Sequence, residues 1–309
     1  MRIAVMGTGA VGGYFGAKLA EAGDDVIFIV RPRHLPVLRR DGLRIESQTG
    51  DLHVRNGCFT DSPADAGMVD LVLFCVKSYD TTEAAAALAP MLTEGTAILS
   101  LQNGIDNPDK IAGFWGTERT LAGVVYIGAQ VSAPGVIQHS SGGKIVLGPM
   151  RDKGADTAHI VEQALMRASI PCVISAAIEQ VQWTKLLWNA PFCAISCLTR
   201  ATVREIVESE ALINLVCDCM KEVQAAARTR GIELKTDLFD QTLAFSRGLG
   251  DFKPSMLQDL EAGKPLEYDA LNGIVMRSIE QAGKQAPLNR VFHGTLSFLD
   301  KKLREGGSR

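Results

Sequence analysis

The chain has 309 residues, which corresponds to about two domains at roughly 150 residues per domain. Hydrophobic residues make up 46% of the sequence and charged residues 22%, a composition that is typical of a globular protein and excludes an intrinsically disordered chain. The formal net charge is −3, and both signs of charge are spread through both halves of the sequence. A nucleic-acid partner is therefore excluded, because there is no basic surface to bind its phosphates.

The sequence contains no candidate membrane segment. Its most apolar stretch, residues 71–76, has the length of a strand, whereas a bilayer requires roughly 18 residues. Gly7 interrupts the N-terminus before the hydrophobic core of a signal peptide could develop, so we expect a cytoplasmic protein. The seven cysteines include no C-x-x-C pair, and the sequence therefore predicts neither a disulfide framework nor a metal site.

The first half of the chain alternates between strand and helix signals. Strands are predicted at residues 2–6, 26–30, 69–76 and 97–101, and helices at residues 11–22 and 81–91. This alternation predicts an α/β fold with right-handed crossovers and a doubly wound parallel sheet. Between Leu121 and Leu147 the pattern changes to alternating strands with two glycine-containing turns, which predicts an antiparallel hairpin extension.

The second half of the chain is predicted to be helical. A long helix at residues 178–198 contains Pro191, which we expect to kink it. Further helices are predicted at residues 210–230, 238–249, 254–261, 267–282 and 289–304. Because the pattern changes near residues 170–174, we predict an α/β domain at residues 1–176 followed by an all-helical domain at residues 177–309.

The segment Gly7-Thr-Gly-Ala-Val-Gly12 follows the first strand and opens the first helix. In this position the G-x-G-x-x-G pattern predicts a dinucleotide-binding turn. Gly7 permits the tight turn, Gly9 lets the backbone approach a pyrophosphate, and Gly12 allows close packing of helix and strand. The N–H groups at the helix start, at Ala10 and Val11, would bind the phosphates. A purely structural glycine turn is the alternative.

The residues after the later strands favour NADPH as the cofactor. An NAD site has an acidic residue about 20 residues beyond the glycine turn, whereas this chain has Arg31, which can pair with a 2′-phosphate. Lys77, after the strand at 69–76, is a second phosphate contact or an ordinary lysine at a helix start. Asn103 could hydrogen-bond the nicotinamide ribose, or it could serve only the Asn-Gly bend.

Hydride reduction of a carbonyl leaves an alkoxide that needs a proton donor. Lys185 and Asn189 lie four residues apart and therefore on one helix face, and Trp183 and Trp188 flank Lys185. A lysine in such apolar surroundings can have a lowered pKa and act as an acid. The other interpretation is an ordinary lysine on the solvent-facing side of an amphipathic helix.

A second candidate segment lies near the end of the chain. Ser255 follows a proline and could either cap a helix or donate to a substrate carboxylate. Glu267, at a predicted helix start, could interact favourably with the helix dipole, or it could be the charge partner of Lys185. The local pattern leaves both choices open.

Together these motifs resemble the ketopantoate reductase (2-dehydropantoate 2-reductase) family, NADPH enzymes of pantothenate biosynthesis. The resemblance covers nearly the whole chain, and its most specific parts are W-x-K-L-x-x-N at residues 183–189 and S-M-L-Q-D with E-x-D at residues 255–269. It implies a Rossmann domain followed by a helical domain, with the active site in the cleft between them. Arg31, Lys77 and Asn103 resemble NADPH contacts.

The resemblance also implies roles for the residues of the second half. Lys185 resembles the catalytic lysine that protonates the reduced carbonyl, and Glu267 resembles the acid that pairs with it and orients it. Asn189 and Ser255 resemble substrate-binding residues. Cys193 stands where family members usually have a second asparagine, and its thiol is a weak hydrogen-bonding group, so a polar contact to the substrate is lost or replaced.

Three functions follow from these observations. The first is NADPH-dependent reduction of ketopantoate to pantoate, with Lys185 as the general acid. The second keeps this chemistry but changes the 2-oxo acid, because of Cys193. The third is a non-catalytic NADPH sensor whose helical domain serves a partner protein, although this would require loss of Lys185, Glu267 and Ser255, which are all present. The sequence leaves a homodimer open.

Overall fold

A computed structural model of the chain describes residues 1–150 and 154–306. The chain divides into two compact units, one made of Met1–Asn103 and Asn107–Ile178 and the other of Gly104–Asp106 and Glu179–Arg309. The division expected from sequence, at residues 1–176 and 177–309, includes residues 151–153 and 307–309, which lie outside the described residues. That boundary stays a prediction.

Within residues 1–150 and 154–178, the strands of the first unit form a single sheet of 10 strands. They are β1 (Arg2–Met6), β2 (Asp25–Ile29), β3 (Leu43–Ser47), β4 (Leu52–Val54), β5 (Cys58–Thr60), β6 (Leu71–Phe74), β7 (Ala97–Ser100), β8 (Thr120–Ala133), β9 (Val136–Pro149) and β10 (Cys172–Ile174). Their order is β4-β3-β9-β8-β7-β6-β1-β2-β5, and β10 also pairs with β9. The run from β5 through β2, β1, β6 and β7 to β8 is parallel throughout.

Helices cover both faces of this parallel run. They are α1 (Ala10–Glu21), α2 (Leu35–Asp41), α3 (Thr81–Ala86), α4 (Asn107–Trp115) and α5 (Ala155–Arg167). Along β1, Ile3 and Val5 enter the core that includes Phe15 of α1, whereas Ala4 and Met6 enter the core on the other face, which includes residues of α3. Since successive side chains of a strand point to opposite faces, the apolar run of β1 is explained by burial on both sides.

The hairpin expected after residue 121 is present as the antiparallel pair β8–β9. Its strand β9 continues the sheet, because it pairs in parallel with β3 near its start and with β10 near its end. The sequence pattern missed β3, β4 and β5, which are only three to five residues long. The helix predicted at residues 81–91 ends instead at Ala86, and a 3₁₀ turn at Ala89–Met91 contains the helix-breaking Pro90.

The described part of the second unit consists of helices and loops. The helices are α6 (Ile178–Thr199), α7 (Val203–Glu208), α8 (Glu210–Thr229), α9 (Asp237–Arg247), α10 (Ser255–Glu261), α11 (Ile274–Gln281) and α12 (Pro287–Gly306). Their shared core includes Trp183, Leu186 and Leu187 of α6, and Ile105 of the short segment 104–106 joins it. None of the helices in the described ranges is long and apolar enough to cross a membrane.

Two local features of this unit bear on the functional residues. Helix α6 continues through Pro191 as one element. The segment Asp269–Gly273, just before α11, is a turn of π-helix rather than the regular helix expected from the sequence. Single π-helical turns are rare and occur frequently at functional sites, because the extra residue redirects the side chains around it.

Candidate active site

Two glycines of the turn between β1 and α1 are required by the fold itself. Gly7 has a φ of +100°, and a Cβ built on it would lie 2.7 Å from the backbone nitrogen of Val76. A Cβ on Gly12 would lie 2.3 Å from the carbonyl oxygen of Gly7. The turn is also fixed to the end of β2, because the Thr8 amide and hydroxyl both donate to the carbonyl of Ile29, at 3.2 and 3.1 Å. Thr8 was not singled out by the sequence pattern.

Gly9 differs from both of its neighbours. Its φ of −88° is accessible to any residue, and a Cβ built on it would meet nothing within 4 Å. The fold therefore does not require glycine here, although a Cβ would fill the space beside the helix start. Among the described residues no side chain caps α1, and its first turn contains no acidic residue. The N–H groups of Ala10 and Val11 lie in this first turn, where helix geometry provides no intrahelical acceptor. The open space beside Gly9 and the N–H groups of Ala10 and Val11 form a cradle that fits a pyrophosphate.

The loop after β6 lies beside the end of β2. The guanidinium of Arg31 contacts the Asp80 carboxylate, with 2.9 Å between Nη2 and Oδ2, and it also hydrogen-bonds the Tyr79 side chain. Burial lowers the pKa of Arg31, but Tyr79 and Asp80 outweigh this and hold the pKa above its ordinary value. Lys77 immediately precedes the 3₁₀ turn Ser78–Asp80 that carries these partners. Arg31 and the segment that begins at Lys77 are thus brought together at one sheet edge.

Buried polar side chains connect the loops after β6 and β7. The Gln102 amide donates to the carbonyl of Val76, at 2.9 Å, and to the Thr81 hydroxyl, at 2.7 Å. The Thr81 hydroxyl lies 3.0 Å from Asn107 Oδ1, and the Asn107 amide donates to the carbonyl of Asn103, at 2.6 Å. This network fixes the backbone at Asn103 relative to the loop after β6, and Gln102 therefore has a structural role.

In the second unit, Lys185, Asn189 and Cys193 follow one another at one-turn intervals on α6. Most of the Lys185 side chain is buried, and Asn189 and Cys193 are only 7% and 1% exposed. Burial lowers the pKa of Lys185 to about 8, while the nearby Cys193 thiol and Glu267 carboxylate act in the opposite direction. Glu267 is itself only 6% exposed. The structure therefore places a buried carboxylate and a thiol beside a lysine that can lose its proton near neutral pH.

Ser255 is the first residue of α10 and is exposed. Pro254 occupies the cap position of this helix, and within the part of the chain that the structure describes no side-chain hydrogen bond caps it. The capping role considered from the sequence is therefore wrong. Glu267 directly precedes the helical residues that start at Tyr268, and its carboxylate interacts with Lys185.

The candidate residues fall into two groups, one in each unit. The first unit holds Gly7, Gly9, Ala10, Val11, Gly12, Arg31, Lys77 and Asn103, and the second holds Lys185, Asn189, Cys193, Ser255 and Glu267. The sequence pattern missed Tyr79 and Asp80 as partners of Arg31, and it missed Asn272, a buried residue of the π-helical turn. Asp80 could have been found from the sequence, because it lies in the loop after a predicted strand, as Arg31 does.

Comparison with known proteins gives matches over both units. The family model described as ketopantoate reductase PanE/ApbA matches residues 3–152, and the model of its C-terminal region matches residues 177–300. The 2-dehydropantoate 2-reductase of Pyrococcus abyssi is 33% identical over 299 residues, which cover 96% of this chain and 97% of that protein.

Solved structures extend this comparison to the fold. A PanE/ApbA-family ketopantoate reductase from Ralstonia eutropha JMP134 is 34% identical and superimposes with a TM-score of 0.91, covering 98% of this chain and 100% of that chain. D-mandelate dehydrogenase, solved with NADH and anilino(oxo)acetate, has the same fold, with a TM-score of 0.91, 21% identity, and coverage of 98% of this chain and 99% of that chain.

The fold and its glycine turn define a nicotinamide-dependent oxidoreductase with an N-terminal Rossmann-type sheet and a helical C-terminal part. The chain belongs to the ketopantoate reductase family. The resemblance and the fold class predicted from the sequence are thereby confirmed.

The contrast between Gly9 and Gly12 gives a testable prediction. Gly9→Ala should change the free energy of unfolding by no more than about 0.5 kcal/mol, because its Cβ meets no atom of the described residues within 4 Å beyond its neighbours in the chain. It should weaken binding of the nicotinamide cofactor by about tenfold or more, since the Cβ occupies the pyrophosphate cradle. Gly12→Ala should instead destabilise the fold by about 1–3 kcal/mol.

Urea denaturation measures the first quantity, and titration of cofactor fluorescence, with NADPH and NADH in parallel, measures the second. Wild-type cofactor affinity in Gly9→Ala would show that the cradle does not hold the pyrophosphate.

Proposed function

We propose that this protein reduces ketopantoate (2-dehydropantoate) to pantoate with NADPH, in pantothenate biosynthesis in the cytoplasm. The observation that carries the proposal is the buried Lys185 on α6, which has a lowered pKa and lies beside the carboxylate of Glu267. Family membership supports the reaction, since relatives of this chain over nearly its full length are named 2-dehydropantoate 2-reductases.

The first unit supplies the groups that recognise the cofactor. The N–H groups of Ala10 and Val11, at the positive end of the α1 dipole, take the pyrophosphate beside Gly9. Arg31 takes the 2′-phosphate. Its ion pair with Asp80 is half-exposed, and such pairs stabilise a protein by only about 0–1 kcal/mol, so a phosphate group with nearly two negative charges can replace the carboxylate. Lys77 and Asn103 provide further contacts to the cofactor.

The second unit supplies the proton and holds the substrate. When bound, NADPH provides the hydride that adds to the C2 carbonyl. Lys185 then donates a proton from Nζ to the carbonyl oxygen, and a pKa of about 8 suits a general acid at neutral pH. Glu267 keeps this lysine charged against the effect of burial. Asn189 and Ser255 hydrogen-bond the substrate's hydroxyl and carboxylate.

A second candidate function is the reduction of a different 2-oxo acid. It is favoured by Cys193, which is buried one turn beyond Asn189 on the face of α6 that carries Lys185. A thiol offers weaker hydrogen bonds than the amide usual at this position, so the site would suit a less hydroxylated or bulkier acid. The hydride and proton transfers are the same in both candidates.

NADPH preference should depend on Arg31. Arg31→Ala should weaken NADPH binding by about 10- to 100-fold and leave NADH binding unchanged, because one charged hydrogen-bonding group, worth about 1.5–3 kcal/mol, is lost only toward the 2′-phosphate. Arg40→Ala is the matched control, since Arg40 is also an exposed arginine of the first unit paired with an aspartate, Asp41. Equal NADPH affinity of Arg31→Ala and wild type would contradict the assignment.

Lys185 should control both the rate and its pH dependence. Lys185→Met should lower kcat by about 10²- to 10⁴-fold with NADPH binding retained, as expected for loss of a general acid. In the wild type the rate of reduction should fall as pH rises through about 8, because the protonated lysine is the active form. Glu267→Gln removes a charge that raises this pKa, so the fall should move to lower pH.

Single-turnover and steady-state assays from pH 6 to 10 measure these effects, with cofactor binding measured separately on each variant. Wild-type turnover in Lys185→Met would refute its role as the acid.

The two substrate hypotheses are separated by kcat/KM across a panel of 2-oxo acids. For the first, the wild type should prefer ketopantoate, and Cys193→Ser, which restores a strong hydrogen-bonding group at nearly constant volume, should retain or increase that preference. Cys197→Ser, at a buried cysteine one turn further along α6, is the matched control. A tenfold preference of the wild type for another acid would establish the second hypothesis.

A further inference from the structure

Asn272 lies in the π-helical turn and is fully buried. Its amide nitrogen donates two hydrogen bonds, one to the carbonyl of Ala190 on α6, at 3.1 Å, and one to Oδ1 of Asn289 near the start of α12, at 2.9 Å. A single side chain therefore links three elements of the helical unit, and one of its bonds goes to the helix that carries Lys185.

The second of these bonds is held in place by further contacts. The Asn289 backbone and side-chain amides both donate to Glu222 Oε2, at 2.9 and 2.7 Å, and the Leu288 amide donates to Glu222 Oε1, at 2.9 Å. Because Nδ2 of Asn289 is directed to Glu222, its Oδ1 is left facing Asn272. Glu222, on α8, thus fixes the orientation of both asparagines.

The side-chain oxygen Oδ1 of Asn272 has no hydrogen-bond partner within the described residues. A buried polar atom without a partner costs about 1–3 kcal/mol, and a leucine of similar volume would avoid this cost. Packing of the core therefore does not explain why residue 272 is an asparagine. The asparagine contributes the two hydrogen bonds that its Nδ2 donates.

The bond from Asn272 reaches α6 at a weakened point of the helix. Pro191 follows Ala190, and proline lacks the N–H that would bond to the carbonyl four residues earlier, which lies between Lys185 and Asn189. Asn272 provides a donor from outside the helix to the carbonyl of Ala190, in the turn of α6 that contains this gap. It ties this turn of α6 to the π-helical segment.

The other end of the π-helical turn is also fixed. The Asp269 carboxylate accepts from Arg277 Nη1, at 2.5 Å, and from His293 Nε2, at 3.1 Å. A Cβ on Gly273 would lie 2.4 Å from Asp269 Oδ1, so the glycine leaves the space that this ion pair occupies. The segment that begins just after Glu267 is therefore held at its start by Asp269 and near its end by Asn272.

We propose that Asn272 is a positioning residue for the reaction, which holds the segment after Glu267 against α6 and so fixes the separation between Glu267 and Lys185. Asn272 lies five residues after Glu267, and its acceptor Ala190 lies five residues after Lys185. This inference rests on the proposed function of Lys185 as the general acid. In this role Asn272 acts through the Lys185–Glu267 pair, by way of its bonds to Ala190 and Asn289.

The test compares Asn272→Leu with a matched control, Gln224→Leu. Gln224 is also buried in the helical unit, and its amide donates to the carbonyl of Leu234, at 2.7 Å, but it bonds neither α6 nor the segment after Glu267. Both variants replace a buried amide-to-carbonyl bond by an apolar side chain. A merely structural role predicts similar kinetic effects in both.

Asn272→Leu should lower kcat by about 10- to 100-fold, as expected when a reacting group is misplaced, with unchanged NADPH affinity. The alkaline fall in its rate should move to lower pH, in the same direction as in Glu267→Gln, because the carboxylate no longer supports the charged lysine. Gln224→Leu should keep the wild-type kcat and pH profile. Asn272→Ala, which is smaller and has no side-chain donor, provides the same readout if the leucine variant does not fold.

A wild-type kcat and pH profile in folded Asn272 variants, or an equal shift in Gln224→Leu, would overturn the inference. Lys185→Met, assayed in parallel, separates the two proposals. If Lys185→Met is inactive and the Asn272 variants are unaffected, only the positioning role fails. If Lys185→Met turns over like the wild type, the proposed function fails.

Discussion

The burial of the Lys185 ammonium beside the Glu267 carboxylate is the interaction on which the arrangement of the helical unit depends. Removing a charge from water is costly unless a partner compensates, and here burial lowers the pKa of the lysine while Glu267 opposes that change. The two groups come from elements 82 residues apart in sequence, α6 and the segment before the π-helical turn. Neither element can place the pair alone, so the packing that joins them sets the chemistry of the lysine.

In the first unit the corresponding constraint is the parallel sheet. Strands β1, β2, β6 and β7 run in the same direction, so the glycine turn, Arg31, the segment from Lys77 and Asn103 all emerge at one edge. Open α/β sheets bind ligands at this edge. The buried bonds of Gln102 and Thr81 then fix the loops relative to each other. The shared direction of the strands brings the cofactor-binding candidates to one edge, and side-chain hydrogen bonds set the spacing between the loops that carry them.

Features that depend on local spacing could be predicted from the sequence, and those that depend on distant pairing could not. The glycine turn, the parallel strands and the common face of Lys185 and Asn189 follow from short periodic patterns. Strands β3 to β5 are only three to five residues long, so their stability depends on pairing with neighbouring strands. The Arg31–Asp80 pair joins residues 49 positions apart. The π-helical turn contains Asn272, whose hydrogen bonds reach Ala190 and Asn289, and no local pattern encodes these distant contacts.

The short segment 104–106 has a consequence for any exchange of parts among related enzymes. Ile105, only 3% exposed, belongs to the helical core, although the chain on either side of this segment belongs to the first unit. Neither unit is therefore a continuous piece of sequence, and a fragment that begins at Glu179 would have a cavity where this side chain packs. A chimera that grafts the helical part of one relative onto the sheet of another must transplant these three residues with it.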